Sequence, residues 1–475
     1  MAQQAQVSPE PAAPSARETP VPGPVGNPTL PAPAPGFFAG LFAPSRSNLL
    51  GDMGGLRPFL GNDGISLGLT ETSEVLGNVT GGRRRGFDYD GLTEMSLGLD
   101  TQKAFGWEGG TFNISALQIH GRDLSTDNLL TLQTASSIEA ERATRLWELW
   151  YQQSFRDGAL DVKLGEQSLD QEFIVSQYAG TFINTMFGWP MLPSADLYGG
   201  GPAYPLSSLG VRVRAHPNDN ITILAGVFDD NPGGGPFDAD AQALDHSGTR
   251  LNLGTGALWI AELQYSTPAL GGMSYLNRKP GLPGTYKVGF WYDSGRFPDQ
   301  EFDTTGLSLA NPASNGQPQL HRGNYSVYAV VDQLAWRPNA TSPEGIGVFG
   351  RAMGTGDANR DLIVMSLNAG VTWKDPLPGR DTDVFGVGVG FTKVSSRAAA
   401  LDKDIAFFTS NPAYPIRTNE TFIELTYQYQ VAPWWTLQPD SQYVFNPGGG
   451  ILNPLAPVRK VGAEVVLGLR TTIVF

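Results

Sequence analysis

The chain has 475 residues, a formal charge of −14, 16% charged residues and no cysteine. The acidic balance argues against a nucleic-acid partner, because phosphate binding needs an excess of Lys and Arg. The lack of Cys excludes a disulfide scaffold, thiolate metal ligands and a cysteine nucleophile, and no run of 18 apolar residues offers a helical membrane span.

The start, "MAQQAQ", has neither the basic region nor the apolar stretch of a secretory signal. That suits a cytoplasmic protein or a mature exported chain given a start methionine. Residues 1–36 hold ten of the 36 prolines and almost no charge. They favour extended polyproline II, bury no core, and read as a disordered linker. Residues 37–63 are an apolar, glycine-broken approach, and 64–475 form the main body. From about Ile65 the dominant hydrophobic period is two. "TEMSLGLDTQ" sets Met95, Leu97 and Leu99 against Glu94, Ser96 and Asp100. "RLWELWYQQSF" sets Trp147, Leu149, Tyr151 and Phe155 against Glu148, Trp150, Gln152 and Ser154. "LIVMSLNAGVTWK" sets Ile363, Met365, Leu367 and Trp373 against Ser366, Asn368 and Thr372, and "DVFGVGVGFTK" sets Phe385, Val387, Val389 and Phe391 against three glycines.

Sixteen such segments follow one another, near 65–75, 92–105, 111–120, 145–156, 159–169, 208–216, 220–230 and 257–267, then 285–294, 324–337, 345–354, 362–374, 382–395, 419–431, 434–446 and 463–475. Compact connections mostly alternate with long ones, such as 170–207, 231–256, 295–323 and 396–418. The connection at 268–284 is longer than that rule expects. An even number of ten-residue alternating strands, with tight turns at one end and long loops at the other, is the pattern of an outer-membrane barrel. A soluble sandwich also alternates. Two features decide between them: aromatics at the ends of the apolar faces (Phe105, Phe155, Tyr265, Trp373, Tyr429), as in interface girdles, and polar faces rich in Gly, Gln, Asn and paired charges. In lipid such a sheet must close, because no edge can stay unpaired. The expected fold is therefore all-β: a 16-stranded antiparallel transmembrane β-barrel. Its last strand, "EVVLGLRTTIVF", ends on Phe475, the apolar aromatic terminus that such barrels present to their insertion machinery.

Four stretches also carry a resemblance: residues 100–155 ("DTQKAFGWEGG…LWELWYQQSF"), "GGGPAYPLSSLGVRVRAHP", "GVFGRAM" and "LQPDSQYVFNPGGG". They resemble the carbohydrate-selective porins of the OprB family, and the resemblance runs from about Leu56 to Phe475. It implies a Gram-negative outer-membrane channel for passive diffusion of glucose and other small sugars, narrowed by inward-folded loops. It implies no enzymatic activity and no cofactor; a homotrimer and a monomer are both open.

A neutral sugar offers hydroxyls and an apolar C–H face, so a selective pore needs hydrogen-bonding groups and flat rings that hold it weakly enough to let it leave. By side-chain direction, Arg212, Arg214, Arg351 and Arg470 are lumen donors. Glu94, Glu148, Glu262, Asp293, Glu424 and Asp440 are acceptors, and Trp150, Trp291 and Trp434 fall on wet faces. For each charge the structural alternative is a wall ion pair that holds barrel shape; for each Trp it is packing against a folded-in loop. The segment 170–207 is too apolar for solvent and reads as the constriction loop, with Glu172, Phe173 and Trp189 at the narrowing; a cap on the rim is the alternative. Arg85 in "RRR" (83–85) offers donors to the channel mouth, binds lipopolysaccharide phosphates or is simply solvated. Arg57, just before the first strand, plugs or lines the periplasmic side.

"GVGVG" (386–390) mimics a nucleotide loop, but its glycines lie on one strand face and no helix follows. Asp357, Asn359 and Asp361 have the opening spacing of a calcium loop without its later Gly and Glu. The four histidines form no metal-ligand spacing. The main rival reading is an outer-membrane partner in polysaccharide export or assembly, docking through the proline-rich front; a barrel-embedded hydrolase would need a Ser–His pair at the rim.

Overall fold

The computed structural model describes residues 46–267, 282–339 and 344–475. The proline-rich stretch 1–36, the first part of the 37–63 approach and most of the 268–284 connection lie outside the described residues.

The strands are β1 (Ile65–Thr80), β2 (Gly86–Asp100), β3 (Gly110–Gly121), β4 (Ala143–Phe155), β5 (Leu160–Gln167), β6 (Ser208–Asn218), β7 (Ile221–Asp229) and β8 (Ala257–Thr267). There follow β9 (Gly284–Asp303), β10 (Pro318–Trp336), β11 (Gly345–Gly354), β12 (Ile363–Lys374), β13 (Val384–Val394), β14 (Asn419–Ala432) and β15 (Trp435–Phe445). A small hairpin, β16 (Leu452–Asn453) with β17 (Ala456–Lys460), stands apart before the closing strand β18 (Glu464–Val474). Each barrel strand pairs with its sequence neighbour, and β18 joins β15 to β1, closing a sixteen-stranded antiparallel barrel. All sixteen alternating segments are strands. Four differ most in extent: β1 runs on to Thr80, β2 begins at Gly86, and β9 and β10 run to 20 and 19 residues, so much of the expected long loop 295–323 is a continuation of their hairpin. The segment expected at 92–105 stops at Asp100, whose carboxylate accepts from Gln102 N and Lys103 N and caps a single helical turn.

The seam explains Arg57. Phe475 N donates to Leu69 O at 2.9 Å, the last ladder bond on that edge. In the register Thr70↔Val474, the next carbonyl on that side of β1 is Leu67 O. Arg57, on helix α1 (Leu56–Asn62), is its donor: Nη1 donates to Leu67 O at 3.1 Å and Nη2 to Phe475 O. Leu49 N also donates to Val474 O at 2.7 Å. The segment before β1 thus completes an edge that would otherwise keep open hydrogen-bonding groups.

Outward faces are apolar and exposed, as a lipid-facing wall requires. The five girdle aromatics expected from the sequence all lie at the short-turn end. A second set (Phe87, Tyr89, Trp259, Tyr292, Tyr325, Tyr443, Phe445) lies toward the long-loop end, all exposed. Two residues assigned to the apolar face turn inward instead. The β3–β4 register shifts between Ile114 and Ala116, so Trp147 and Glu148 both face the interior, where Trp147 is 3% exposed against Tyr204. A shift at Ile363/Met365 likewise buries Ile363. These are β-bulges, which add one residue and reverse the parity beyond them.

Candidate functional site: the lumen wall and the inward loop

The loop between β5 and β6, residues 168–207, folds into the barrel and supplies the largest share of the buried apolar cluster of any single segment. Two kinds of contact seat it. The first is apolar. Phe182 stacks on Phe187 with centroids 4.4 Å apart, and both rings meet Phe349 of β11. Across from them lies the glycine face of β13: a Cβ on Gly388 would sit 2.5 Å from the Phe187 ring and 2.9 Å from that of Phe182. The glycines of "GVGVG" are therefore the floor of an aromatic pocket.

The second kind is polar, and it uses the wall charges on the loop backbone. Glu262 accepts from Ile174 N at 2.9 Å. Asp332 accepts from Ser176 Oγ (2.6 Å), Gln177 N (3.1 Å) and Tyr178 N (3.4 Å). Glu424 accepts from Ile183 N (2.6 Å) and Asn184 N (3.0 Å). Arg351 answers in the opposite sense: it donates to Ile174 O (3.0 Å), Gly188 O (2.8 Å) and Met186 O, with Asn368 Oδ1 steadying the guanidinium. The loop 122–142 is held in the same way. Glu420 accepts from Leu132 N and Gln133 N, and Arg470 pairs with Glu74 at 2.6 Å while donating to Ser136 and Ser137. Arg470 is fully buried.

Elsewhere the charges join one another. On β5, Asp161 and Lys163 face inward, in register with Arg214 and Arg212 of β6; Gln152 of β4 stands opposite Lys163. Arg212 pairs with Asp161, meets Glu172 of the loop (Nε to Oε2, 2.6 Å) and donates to Gln152 Oε1 at 2.8 Å. Arg214 Nε lies 2.8 Å from Asp161 Oδ2. Lys163 pairs with Glu172 and lies over the Trp150 ring, 4.5 Å from its centroid. Trp150 Nε1 donates to Glu148 Oε2 at 3.2 Å, and Glu148 also accepts from Ser168 N at 3.0 Å, where the loop begins. Burial opposes ionisation of Glu172, but Lys163 and Arg212 outweigh it and bring its pKa from 4.5 down to about 2. Around this line the inner wall is wet toward the short-turn end: Ser66 and Thr111 are exposed, and Asn113, Trp150, Gln152 and Arg214 are partly exposed.

Of the residues singled out from the sequence, Glu148, Trp150, Glu172, Arg212 and Arg214 therefore come together in one line. Asp161 and Lys163 belong to it and were missed, although the parity of "LDVKLGE" places both on the inner face. The others are placed apart. Arg351, Glu424 and Arg470 hold loops, and Asp440 accepts from Gln442 Nε2 at 3.1 Å. Phe173 is buried against Phe228, and Trp189 is buried with Nε1 donating to Gly200 O at 2.9 Å. Trp291 is buried inside β9. Arg57 holds the seam, and Arg85 is exposed in the loop after β1. Trp434, expected inside, sits in the β14–β15 turn, stacked on Trp435 with the Arg46 guanidinium 5.0 Å above its ring. A two-residue turn ends the alternation one position later than parity assumes. Asp361 accepts from Asn324 Nδ2 at 2.6 Å and Asp357 lies 3.7 Å from Arg360, and among the described residues no group of three or more His, Asp or Glu side chains is arranged for a metal.

A wall-lined barrel with an inward loop is a porin arrangement, and the comparisons name which. The family model described as "Carbohydrate-selective porin, OprB family" matches residues 84–475. The chain belongs to that family. It is 26% identical over 466 residues to Porin B of Pseudomonas aeruginosa, covering 91% of this chain and 92% of that one. It is 24% identical over 450 residues to the putative porin QuiX of Acinetobacter baylyi, covering 90% and 93%. The high-pH structure of Pseudomonas putida OprB superposes with a TM-score of 0.78 at 24% identity, over 91% of this chain and all of that one. The fold is thus that of an OprB porin, and the family is one of channels rather than enzymes.

Proposed function

We propose that this porin is a passive outer-membrane channel for neutral sugars, glucose and other mono- and small oligosaccharides, with its narrowest part bordered by the Glu148–Arg214 line, in which Glu172 is the contribution of the inward loop. The observation that carries this reading is the division of the inner wall. From β8 to β14, Glu262, Asp332, Arg351 and Glu424 are engaged by the inward loop, whereas from β1 to β6 the short-turn half stays polar and wet. A sugar passing there exchanges water for the amides and hydroxyls of Gln152, Asn113 and Thr111. The Trp150 indole, held by Glu148 and covered on one face by Lys163, offers its other face to C–H groups. Each contact is weak and replaceable, as conduction requires. On this reading the short turns face the periplasm, the apolar band meets outer-membrane lipid, Arg85 meets lipopolysaccharide phosphate, and Phe475 is read by the insertion machinery before the seam closes over it.

Purified protein in planar bilayers should pass ions, and glucose should reduce that current more than a charged solute of similar size. Trp150→Ala should weaken the glucose effect. If glucose leaves the current unchanged and Trp150→Ala leaves sugar flux unchanged, the sugar reading fails.

A further inference from the structure

The line on the wall is ordered by sign. From Glu148 it passes through the Trp150 indole to Lys163, then to Glu172, Arg212, Asp161 and Arg214. Acidic and basic groups alternate, three of each, so the line sums to zero in a chain whose formal charge is −14. We propose that this balance makes the constriction indifferent to the sign of a solute's charge, with Lys163 and Glu172 as its specificity-determining residues. The inference rests on the reading above only in taking the line to border the water path.

Five of the six charges have a counter-charge in direct contact, and Glu148 faces Lys163 across the Trp150 indole, so the field that reaches the lumen is that of short dipoles, which fades faster than that of a lone charge. The wall therefore gives hydrogen bonds and dipoles to a polyhydroxylated solute and gives no advantage to a sugar acid or an amino sugar. Glu262 and Lys287, 3.9 Å apart, form a second balanced pair. Glu94 of β2 faces inward outside the line and adds a constant background to every variant compared below.

Removing one member unbalances the line by one unit. At a fixed distance of about 8 Å, a unit charge in water changes the cation-to-anion ratio about twofold at ~0.15 M salt and about fourfold at ~0.01 M. The test is the reversal potential of the intact porin in planar bilayers under a KCl gradient, at both ionic strengths. Lys163→Met should shift selectivity toward cations, Glu172→Gln toward anions, and the double variant should return to the wild-type value, with larger shifts at low salt. Single variants that shift in the same direction, or do not shift, overturn the proposal, as does a double variant no closer to wild type than its parents. If Lys163→Met yields no folded barrel, Arg214→Gln replaces it and should shift toward cations. Glucose block in the same membranes reads the sugar assignment separately: block absent with these shifts present refutes that assignment and leaves the balance standing.

Discussion

Arg57 makes a prediction that can be worked from the register. Antiparallel pairing places Phe475 N on Leu69 O, and the donor to the next ladder carbonyl, Leu67 O, is the Arg57 guanidinium, which binds Phe475 O as well. Hydrogen bonds from a charged donor contribute about 1.5–3 kcal/mol each when well buried. Arg57 is only partly buried, so Arg57→Ala should cost about 1.5 kcal/mol for the two together, roughly a tenfold change in local opening. The loss should be confined to the seam. Amide exchange at Leu49, Val474 and Phe475 should quicken about tenfold, while amides in the middle of β18, such as Leu467, keep their protection. Arg57→Lys, with one compact donor group, should recover part of it. Unchanged exchange at Phe475 in Arg57→Ala would refute the idea that this side chain holds the end of the seam.

Three further outcomes follow from the loop seat. Gly388→Val puts a side chain into the Phe182–Phe187 pair; overpacking costs about 1–3 kcal/mol, so the loop should lift and liposome swelling should admit larger oligosaccharides. Arg351→Met leaves the carbonyls of Ile174, Met186 and Gly188 without that donor; at about 1 kcal/mol or more each, protease cleavage within 168–207 should rise while the barrel keeps its heat-resistant gel mobility. For Glu172, a folded pKa of about 2 lies below the ordinary 4.5, so its stabilising contribution is present above about pH 4.5 and lost as pH falls toward 2. Its contribution to wild-type ion selectivity should therefore hold from pH 7 to pH 4, and a Glu172-dependent change above pH 4, absent in Glu172→Gln, would contradict that.

The barrel was legible because lipid enforces one rule on every strand: each outward residue is apolar and its neighbours face the interior. That rule placed all sixteen strands, within a few residues at most ends. It failed where the backbone breaks parity. Trp147 and Ile363 look like lipid-facing residues in sequence, yet one added residue in each strand turns them inside, and no local residue type marks the bulge. Trp434 failed for the related reason that a two-residue turn can carry the alternation past the strand's end.

What parity could not tell was what each inward charge meets. Arg351 and Arg212 read alike in sequence: arginines on the inner faces of alternating strands. One ends on three loop carbonyls, the other between two carboxylates and an amide. The difference lies in the neighbours. β5 brings Asp161 and Lys163 into register with β6, so the charges there satisfy one another and leave the loop only Glu172 to add. β11 and β13 bring glycines to the inner face, which let the loop approach until its own backbone becomes the partner of Arg351. Small residues on an inner wall therefore mark where a loop will lie, and around Arg212 the charges of β5 take the place that loop backbone takes around Arg351. Both patterns are present in the sequence, but they can be read only once the strand register is known.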